Sequence, residues 1–473
     1  MNIGQLLKHE EGKTLEFKRD LSSPKNFLKT LVAFANTAGG QVVIGVEDKT
    51  RLPVGFAHPL DEEERLCSLI ADSVSPRLVP NVEMITVEDK TLLIVEVFLS
   101  GSRPHWLKAE GPKSGVYVRL GSTNRQADRE LIAELRRSVE GVAFDELPMP
   151  GLTVDDLDLG ALKTLFRDQH DVSENELLTL RLLKNEQGRL VPTKGAVLLF
   201  GKEREKHFPD AWMQCGRFIG RDKADIFDHI ELQDHLPQAV DSIMLFLRKH
   251  AMRGADFSEI RRKDVWSIPL GILREAVINA LVHADYSQRG APIRIAFFDD
   301  RIEIENPGIL LPGMTIDDMR QGVSKIRNHV IARIFRELNL IEQWGSGIPR
   351  IIREAEELGL PELQIVEIGM RFRLTVTLAE KISVQKTTEQ VTEQVTEQVR
   401  RILNSLRNEP LSARDAMQFL GLRHRPTFIY DYLQPAMDAG LVEMTQPESP
   451  KSPTQKYRLT AKGKAALVEN DQS

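Results

Sequence analysis

Apolar positions recur at helical spacing over residues 22–38, where Phe27, Leu28, Leu31, Val32, Phe34 and Ala35 follow a Ser-Ser-Pro start; this predicts a helix. Gly39 and Gly40 break it, and Gln41-Val-Val-Ile-Gly-Val46 predicts a short buried strand. The apolar run opening Leu92-Leu-Ile-Val-Glu-Val97 predicts a second strand, and the alternation in Gly115-Val-Tyr-Val-Arg119 a third. Residues 1–140 are therefore expected to form an α+β module. The turn-rich Phe144-Asp-Glu-Leu-Pro-Met-Pro-Gly151 marks a boundary. Residues 141–255 are expected to form a connecting region. Helices are predicted over 155–169 and 175–183, with a long one over 230–250. Thr193-Lys-Gly-Ala-Val-Leu-Leu-Phe-Gly201 fits a buried strand or a short buried helix equally well.

A third region, 256–380, is organised around Arg274-Glu-Ala-Val-Ile-Asn-Ala-Leu-Val-His-Ala-Asp-Tyr286. Ala276, Val277, Ala280, Leu281 and Ala284 supply its apolar positions, while Glu275 and Asn279, four apart, stack on one helix face. A carboxylate and an amide placed this way suit a cation held by the amide oxygen and a water oriented by the carboxylate. Two strands follow, Ile293-Arg-Ile-Ala-Phe-Phe298 and Arg301-Ile-Glu-Ile-Glu305, joined at Asp299-Asp300 as a tight hairpin. Then come Asn306-Pro-Gly308, a helix predicted over 324–338, Trp344-Gly-Ser-Gly-Ile348 and a helix over 349–358. Glycines directly before a helix let backbone amides approach a phosphate. Thr-Glu-Gln-Val, repeated from Thr388, Thr392 and Thr396, fits a short oligomerising helix or, given its shortness, a polar tether over 381–398. Residues 399–473 predict three helices, 399–407, 412–420 and 425–439. Two strands, 441–444 and 456–460, follow around a Pro/Ser-rich tip.

Composition narrows the picture. The 473-residue chain is too long for one core, and 41% hydrophobic and 28% charged residues are ordinary for a soluble globular protein. A net charge of −6 provides no global basic field, so nucleic-acid binding has to come from local patches. Cys67 and Cys215 are far apart, which fits buried thiols in a reducing compartment. The N-terminus lacks the apolar core of a signal peptide, and no run is long enough to span a membrane. A cytoplasmic location is expected, without membrane contact. His207 and His229 lack metal-ligand spacing and are expected to be structural.

The first module holds two candidate constellations. Glu11, Glu16 and Asp48 flank predicted strand ends, and Lys18 shares a strand face with Glu16. Such carboxylates near a lysine suit magnesium or manganese and phosphodiester hydrolysis. Arg103, Lys108, Lys113, Arg119, Arg125 and Arg129 interleave with Trp106 and Tyr117, a pattern suited to phosphate contact and base stacking. The module's net charge is −1, so those cations would have to cluster on one face.

Leu15-Glu-Phe-Lys18, Ala33-Phe-Ala-Asn-Thr-Ala-Gly-Gly40, Ile44-Gly-Val-Glu-Asp48 and Tyr117-Val-Arg-Leu-Gly-Ser122 resemble the Schlafen AlbA-2 domain, a nucleic-acid-binding module. The resemblance covers about the first 135 residues. In the nuclease branch, two glutamates and a later aspartate carry RNA cleavage; Glu11, Glu16 and Asp48 match them. Other bacterial relatives are DNA-binding regulators. The order of motifs across 260–380 resembles the divergent ATP-binding domain of gyrase, a heat-shock chaperone family and histidine kinases (GHKL), an α/β sandwich. The resemblance places Glu275 as water-activating base and Asn279 as magnesium ligand. It puts Asn306 and Gly308 at the adenine side, and Gly345 and Gly347 at the phosphate lid. The usual Asp-x-Gly-x-Gly loop is replaced by Asn306-Pro-Gly308, so binding is expected ahead of turnover. A Walker Gly-x-x-x-x-Gly-Lys motif is absent, which leaves helicase activity of the usual kind unsupported. Residues 399–473, with a net charge of +3, resemble a winged helix, with Arg423 and Arg425 leading the helix that would meet DNA.

The expectation is an α+β multidomain protein that joins these three domains, like bacterial proteins described as transcriptional regulators or RecG-like helicases. Its expected function is nucleotide-responsive DNA binding in transcription regulation, with ATP and Mg²⁺ or Mn²⁺ as cofactors. Lys18, Arg119, Arg125, Arg423 and Arg425 are the expected nucleic-acid contacts, DNA ahead of RNA, in a homo-oligomer. Weak ATPase activity is open. The alternative is a metal-dependent nuclease acting on RNA or DNA, in phage defence.

Overall fold

A computed structural model describes residues 3–48, 50–166, 173–251, 253–256, 263–341, 347–379, 397–407, 409–422, 428–446 and 455–470. The chain divides into two units, Met1–Ser383 and Val384–Ser473. It is an α+β multidomain protein.

The first unit opens with a sheet of strands β1 (Leu15–Lys18), β2 (Gly40–Ile44), β3 (Asn81–Val87) and β4 (Lys90–Val97), in the order β1-β2-β4-β3. β1 and β2 are parallel; the other pairs are antiparallel. Helix α1 (Pro24–Asn36) lies between β1 and β2. Its proline at the first turn removes a backbone donor that would have no helical partner. Phe27, Leu31, Val32 and Phe34 bury its apolar face. Asn36, at its end, donates to the carbonyls of His105 (3.0 Å) and Tyr117 (2.9 Å) and accepts from the His105 amide (2.7 Å). Thr37 Oγ1 accepts from the Arg119 amide at 2.9 Å. The Asn-Thr pair thus pins the hairpin β5 (Tyr117–Leu120) and β6 (Thr123–Gln126) to the helix. Gly40 fits because a Cβ there would lie 2.7 Å from the Thr14 carbonyl. Helix α2 (Pro59–Ser73) was not expected from the sequence, since only Leu66 and Ile70 of it are buried and its start is acidic. Helix α3 (Arg129–Glu140) starts at Asp128, which accepts from the Leu131 amide at 2.8 Å, and stops at Gly141 in the left-handed region.

The ambiguous 193–201 run is helix α4 (Lys194–Phe200), capped by Thr193 and buried along its length. Beyond it a mixed six-stranded sheet forms from β7 (Met213–Phe218), β8 (Ile226–Leu232), β9 (Ile293–Phe297), β10 (Arg301–Pro307), β11 (Gln364–Ile368) and β12 (Arg371–Thr377). Its order is β8-β7-β9-β10-β12-β11. The β9–β10 hairpin turns at Asp299-Asp300 as expected, with the Phe298 amide bonded to Arg301 O at 2.8 Å. Packed with this sheet in one core are α5 (Leu236–His250), α6 (Leu270–His283), α7 (His329–Glu337) and α8 (Gly347–Glu357).

Three expectations change here. The helix predicted over 230–250 begins at Leu236, because Ile230–Leu232 belong to β8, where every second side chain is exposed. Residues 141–255 are more than a connector: β7, β8, α4 and α5 share one hydrophobic core with the rest of the sheet. The helix predicted from 324 begins only at His329. Asp145, fully buried, accepts from the amides of His329 (3.0 Å), Val330 (2.7 Å) and Ile331 (3.0 Å), capping α7 from a distant segment.

The second unit contains helices α9 (Glu397–Ser405) and α10 (Ala413–Phe419), then a π-helical turn, Phe428–Leu433, leading into α11 (Gln434–Asp438). Strands β13 (Val442–Met444) and β14 (Tyr457–Leu459) form an antiparallel pair, followed by α12 (Ala461–Asn470). The 425–439 helix was expected as one piece and α12 was not expected. Ile402, Leu403, Phe428, Ala436 and Leu441 form the centre of this unit's core. The Thr-Glu-Gln-Val repeat lies mainly outside the described residues. No helix among those described is long and apolar enough to cross a membrane.

Candidate functional site

Helix α6 is apolar almost all round: Ile272, Leu273, Ala276, Val277, Ile278, Ala280, Leu281 and Val282 are all buried. Such a helix belongs inside a core, so Glu275 and Asn279 need a reason to be there. They face a cavity of about 350 Å³, which Asn306, Gly308 and Gly347 also line. Asn279 Nδ2 donates to Glu275 Oε1 at 3.2 Å, and Arg350 on α8 pairs with Glu275 Oε2 at 2.6 Å. The pairing leaves the Asn279 amide oxygen, the atom a magnesium ion would use, outside that bond. Gly347 opens α8 against this pair; a Cβ there would fall 2.2 Å from Glu275 Oε1. Gly345 lies outside the described residues.

On the opposite wall, Asn306 is buried at the end of β10 and donates to Pro307 O at 3.1 Å. Gly308 has φ +101°, and its amide donates to Met370 O at 3.0 Å. A Cβ at 308 would meet Asp285 Cβ at 2.9 Å, so both space and backbone call for glycine. Arg274, Lys325, Arg327, Arg336 and Arg350 line the cavity against a single carboxylate, Glu275. That excess of cations suits a polyphosphate. His283 also lines it; burial pushes its imidazole down to about 4, and Arg327 acts the same way, so it is neutral at physiological pH.

The cavity wall is tied to the first module. Arg327 makes a buried ion pair with Glu134 of α3 and donates to Ile309 O. Lys13 pairs with Glu367 at 2.7 Å, and Glu367 accepts from the Leu310 amide at 2.7 Å. The Gly313 amide donates to Thr37 O at 2.6 Å. Segment 309–327 therefore contacts both the cavity and the first module, a link that sequence reasoning missed. Arg327 carries no periodic signal that would have revealed it.

The other expected residues are placed differently. Glu16 is buried, and Lys18 pairs with it at 2.5 Å as the shared strand face predicted. Its other oxygen is held by Arg119. Arg119 is 1% exposed and also donates to Gly12 O (3.0 Å) and Asn124 Oδ1 (2.9 Å). It cannot reach nucleic acid, which corrects that expectation: both faces of β5 are covered. Glu11 accepts from the Phe17 amide at 2.8 Å, and Asp48 is exposed. Among the described residues no three His, Cys, Asp or Glu side chains group to hold a metal, so Glu11, Glu16 and Asp48 are not assembled as a metal centre. Tyr117 is buried, donating to Glu110 at 2.6 Å, and is no stacking platform. Arg125 is exposed on β6. Arg423 and Arg425 lie outside the described residues.

Residues 11–128 match the family model "Schlafen, AlbA_2". Residues 290–376 match "Putative ATP-dependent DNA helicase recG C-terminal", an ATPase-type model. A solved N-terminal domain of a "Putative ATP-dependent DNA Helicase RecG-related Protein" from Nitrosomonas europaea is 30% identical, covering 26% of this chain and 91% of that one, with a TM-score of 0.22. The chain carries a Schlafen AlbA_2 domain and a RecG-type C-terminal domain of the ATPase type. The AlbA_2 module is thus the first module above, and the RecG-type domain supplies β9 to β12. Residues 397–460 match "Filamentation induced by cAMP protein Fic-like, C-terminal domain". Two further solved structures are each 17% identical. The DIP2311 protein from Corynebacterium diphtheriae covers 99% of this chain and 98% of its own, with a TM-score of 0.43. A Fic family protein from Desulfovibrio desulfuricans G20 covers 71% of this chain and 77% of its own, with a TM-score of 0.14. No curated protein matches the chain.

Proposed function

We propose that this protein binds ATP with a divalent cation in the α6 cavity and that occupancy alters its hold on DNA, as in a regulator of transcription. The observation that carries the reading is the cavity's lining: five cations accompany the Glu275–Asn279 pair of α6, and Glu275 is the one carboxylate among the lining residues. Arg274, Lys325, Arg336 and, in exchange for Glu275, Arg350 would meet the phosphates, Arg327 being held by Glu134, and Asn279 would meet the cation. When bound, the cation would screen phosphate charge. Glu275 would be the water-orienting base, but Arg350 ties up one of its oxygens, which supports binding over turnover. Segment 309–327 supplies the route from the cavity to the AlbA_2 module. The AlbA_2 module and a winged-helix C-terminal unit, with Arg125, Arg423 and Arg425 among the contacts, would grip the nucleic acid. Cys215 is buried as expected and Cys67 is exposed against expectation; both are free thiols, which supports work in the cytoplasm. Calorimetric titration of the full chain with ATP and magnesium tests the site. Asn279→Ala should weaken binding by about tenfold, the worth of one ligand or charge-assisted contact; unchanged affinity would rule the site out.

A further inference from the structure

A second cavity, of about 550 Å³, lies where α3 of the AlbA_2 module meets the turn after α6. It shares no lining residue with the Glu275 cavity. Arg129 and Arg137 stand on one face of α3, eight residues apart, and both line it, as do Lys194 at the start of α4 and Arg289. None of these four makes an ion pair among the described residues, although Glu130 and Asp210 also line the cavity. The Arg137 guanidinium and the Lys194 ammonium lie 5.4 and 4.1 Å from the Phe144 ring centroid. Burial, and then the charge of Arg137, hold the Lys194 amine below its ordinary value. An anion seated beside both would relieve that repulsion.

Near the turn, two polar groups are short of partners. Asp285 is 3% exposed; its Oδ1 accepts from Ser287 N (3.1 Å) and Oγ (2.6 Å), while its buried Oδ2 has no hydrogen bond. Gln288 Nε2 is likewise buried and without a partner. A buried polar group left unbonded costs free energy. Both residues line the cavity, so a ligand that offers a donor and an acceptor suits this pair. A nucleobase with an exocyclic amine and a ring acceptor does so, and Phe208 and Trp212 offer apolar area to its faces.

We propose that this cavity binds a nucleoside phosphate, with its phosphates at Arg137 and Lys194 and its base at Asp285 and Gln288. The ligand can come as a free nucleotide or as one unit of a single strand. The proposal is independent of ATP binding at Asn279. The test uses the full chain carrying Asn279→Ala, which weakens the α6 cavity so that further substitutions at the second cavity are read against that background, with radiolabelled ATP and a short oligodeoxyadenylate as probes in equilibrium dialysis. Adding Arg137→Ala and Lys194→Ala should weaken binding of at least one probe by about tenfold or more. Arg289→Ala, at the exposed rim, should weaken it a few-fold and serves if the double variant does not fold. UTP, which lacks the exocyclic amine, should bind less well than ATP if the source is a free nucleotide. Retention of ATP alone identifies a free nucleotide as the ligand, and retention of the oligomer alone a strand. Failure of both probes to bind, or affinity unmoved by these substitutions, would overturn the proposal.

Discussion

Glu16 and Glu275 are both glutamates with a polar or cationic neighbour close in sequence, and both invite the same reading as metal or water ligands. Their surroundings separate them. Glu16 is met by Arg119, whose side chain is 1% exposed and bonded on every side. Glu275 is met by Arg350, whose side chain is 46% exposed, at the edge of a cavity. A carboxylate locked by a buried guanidinium holds a fold together; one held by a solvent-exposed arginine beside open space can exchange that partner for a ligand. Burial of the partner distinguishes the two more sharply than the carboxylate's own spacing does.

The largest expected effect breaks the first half of this comparison. Arg119→Ala leaves Glu16 buried without its guanidinium and should destabilise the AlbA_2 module by about 3–5 kcal/mol in denaturant unfolding. Arg350→Ala should cost below about 1 kcal/mol, since an exposed ion pair contributes little, yet it should change nucleotide affinity. Equal losses of stability would remove the distinction.

The pH dependence comes next. The folded pKa of His283, about 4, lies below its ordinary 6.5, so the unfolded chain binds more protons between those values. Stability from this group is full above about 6.5 and is lost as pH falls toward about 4, by at most about 3 kcal/mol. Replacing it with a neutral side chain, His283→Gln, should flatten that part of the stability profile; an unchanged slope would show that the imidazole is solvated. Gly347→Ala should act more locally, pushing Glu275 away from α8 and weakening nucleotide binding with the fold retained.

Much of this was legible in the chain. The β9–β10 hairpin, α1 and the polar pair on α6 follow from alternation, helical spacing and the two-residue turn. The reach of the second sheet was less so, because Ile230–Leu232 read equally as the start of an amphipathic helix until β7 is known to lie beside them. Arg119 was misassigned for a related reason: Tyr117-Val-Arg-Leu120 alternates, but only tertiary packing covers both of its faces. The link through Arg327 and Glu134 joins residues 193 positions apart, and no local pattern encodes it.

The coupling between the α6 cavity and nucleic acid is tested most directly by fluorescence anisotropy of labelled duplex DNA, titrated with the full chain with and without ATP and magnesium. The account predicts that ATP shifts the DNA affinity of the native chain and that Asn279→Ala abolishes the shift while DNA binding without ATP persists. An affinity indifferent to ATP, or a shift that survives Asn279→Ala, would contradict it.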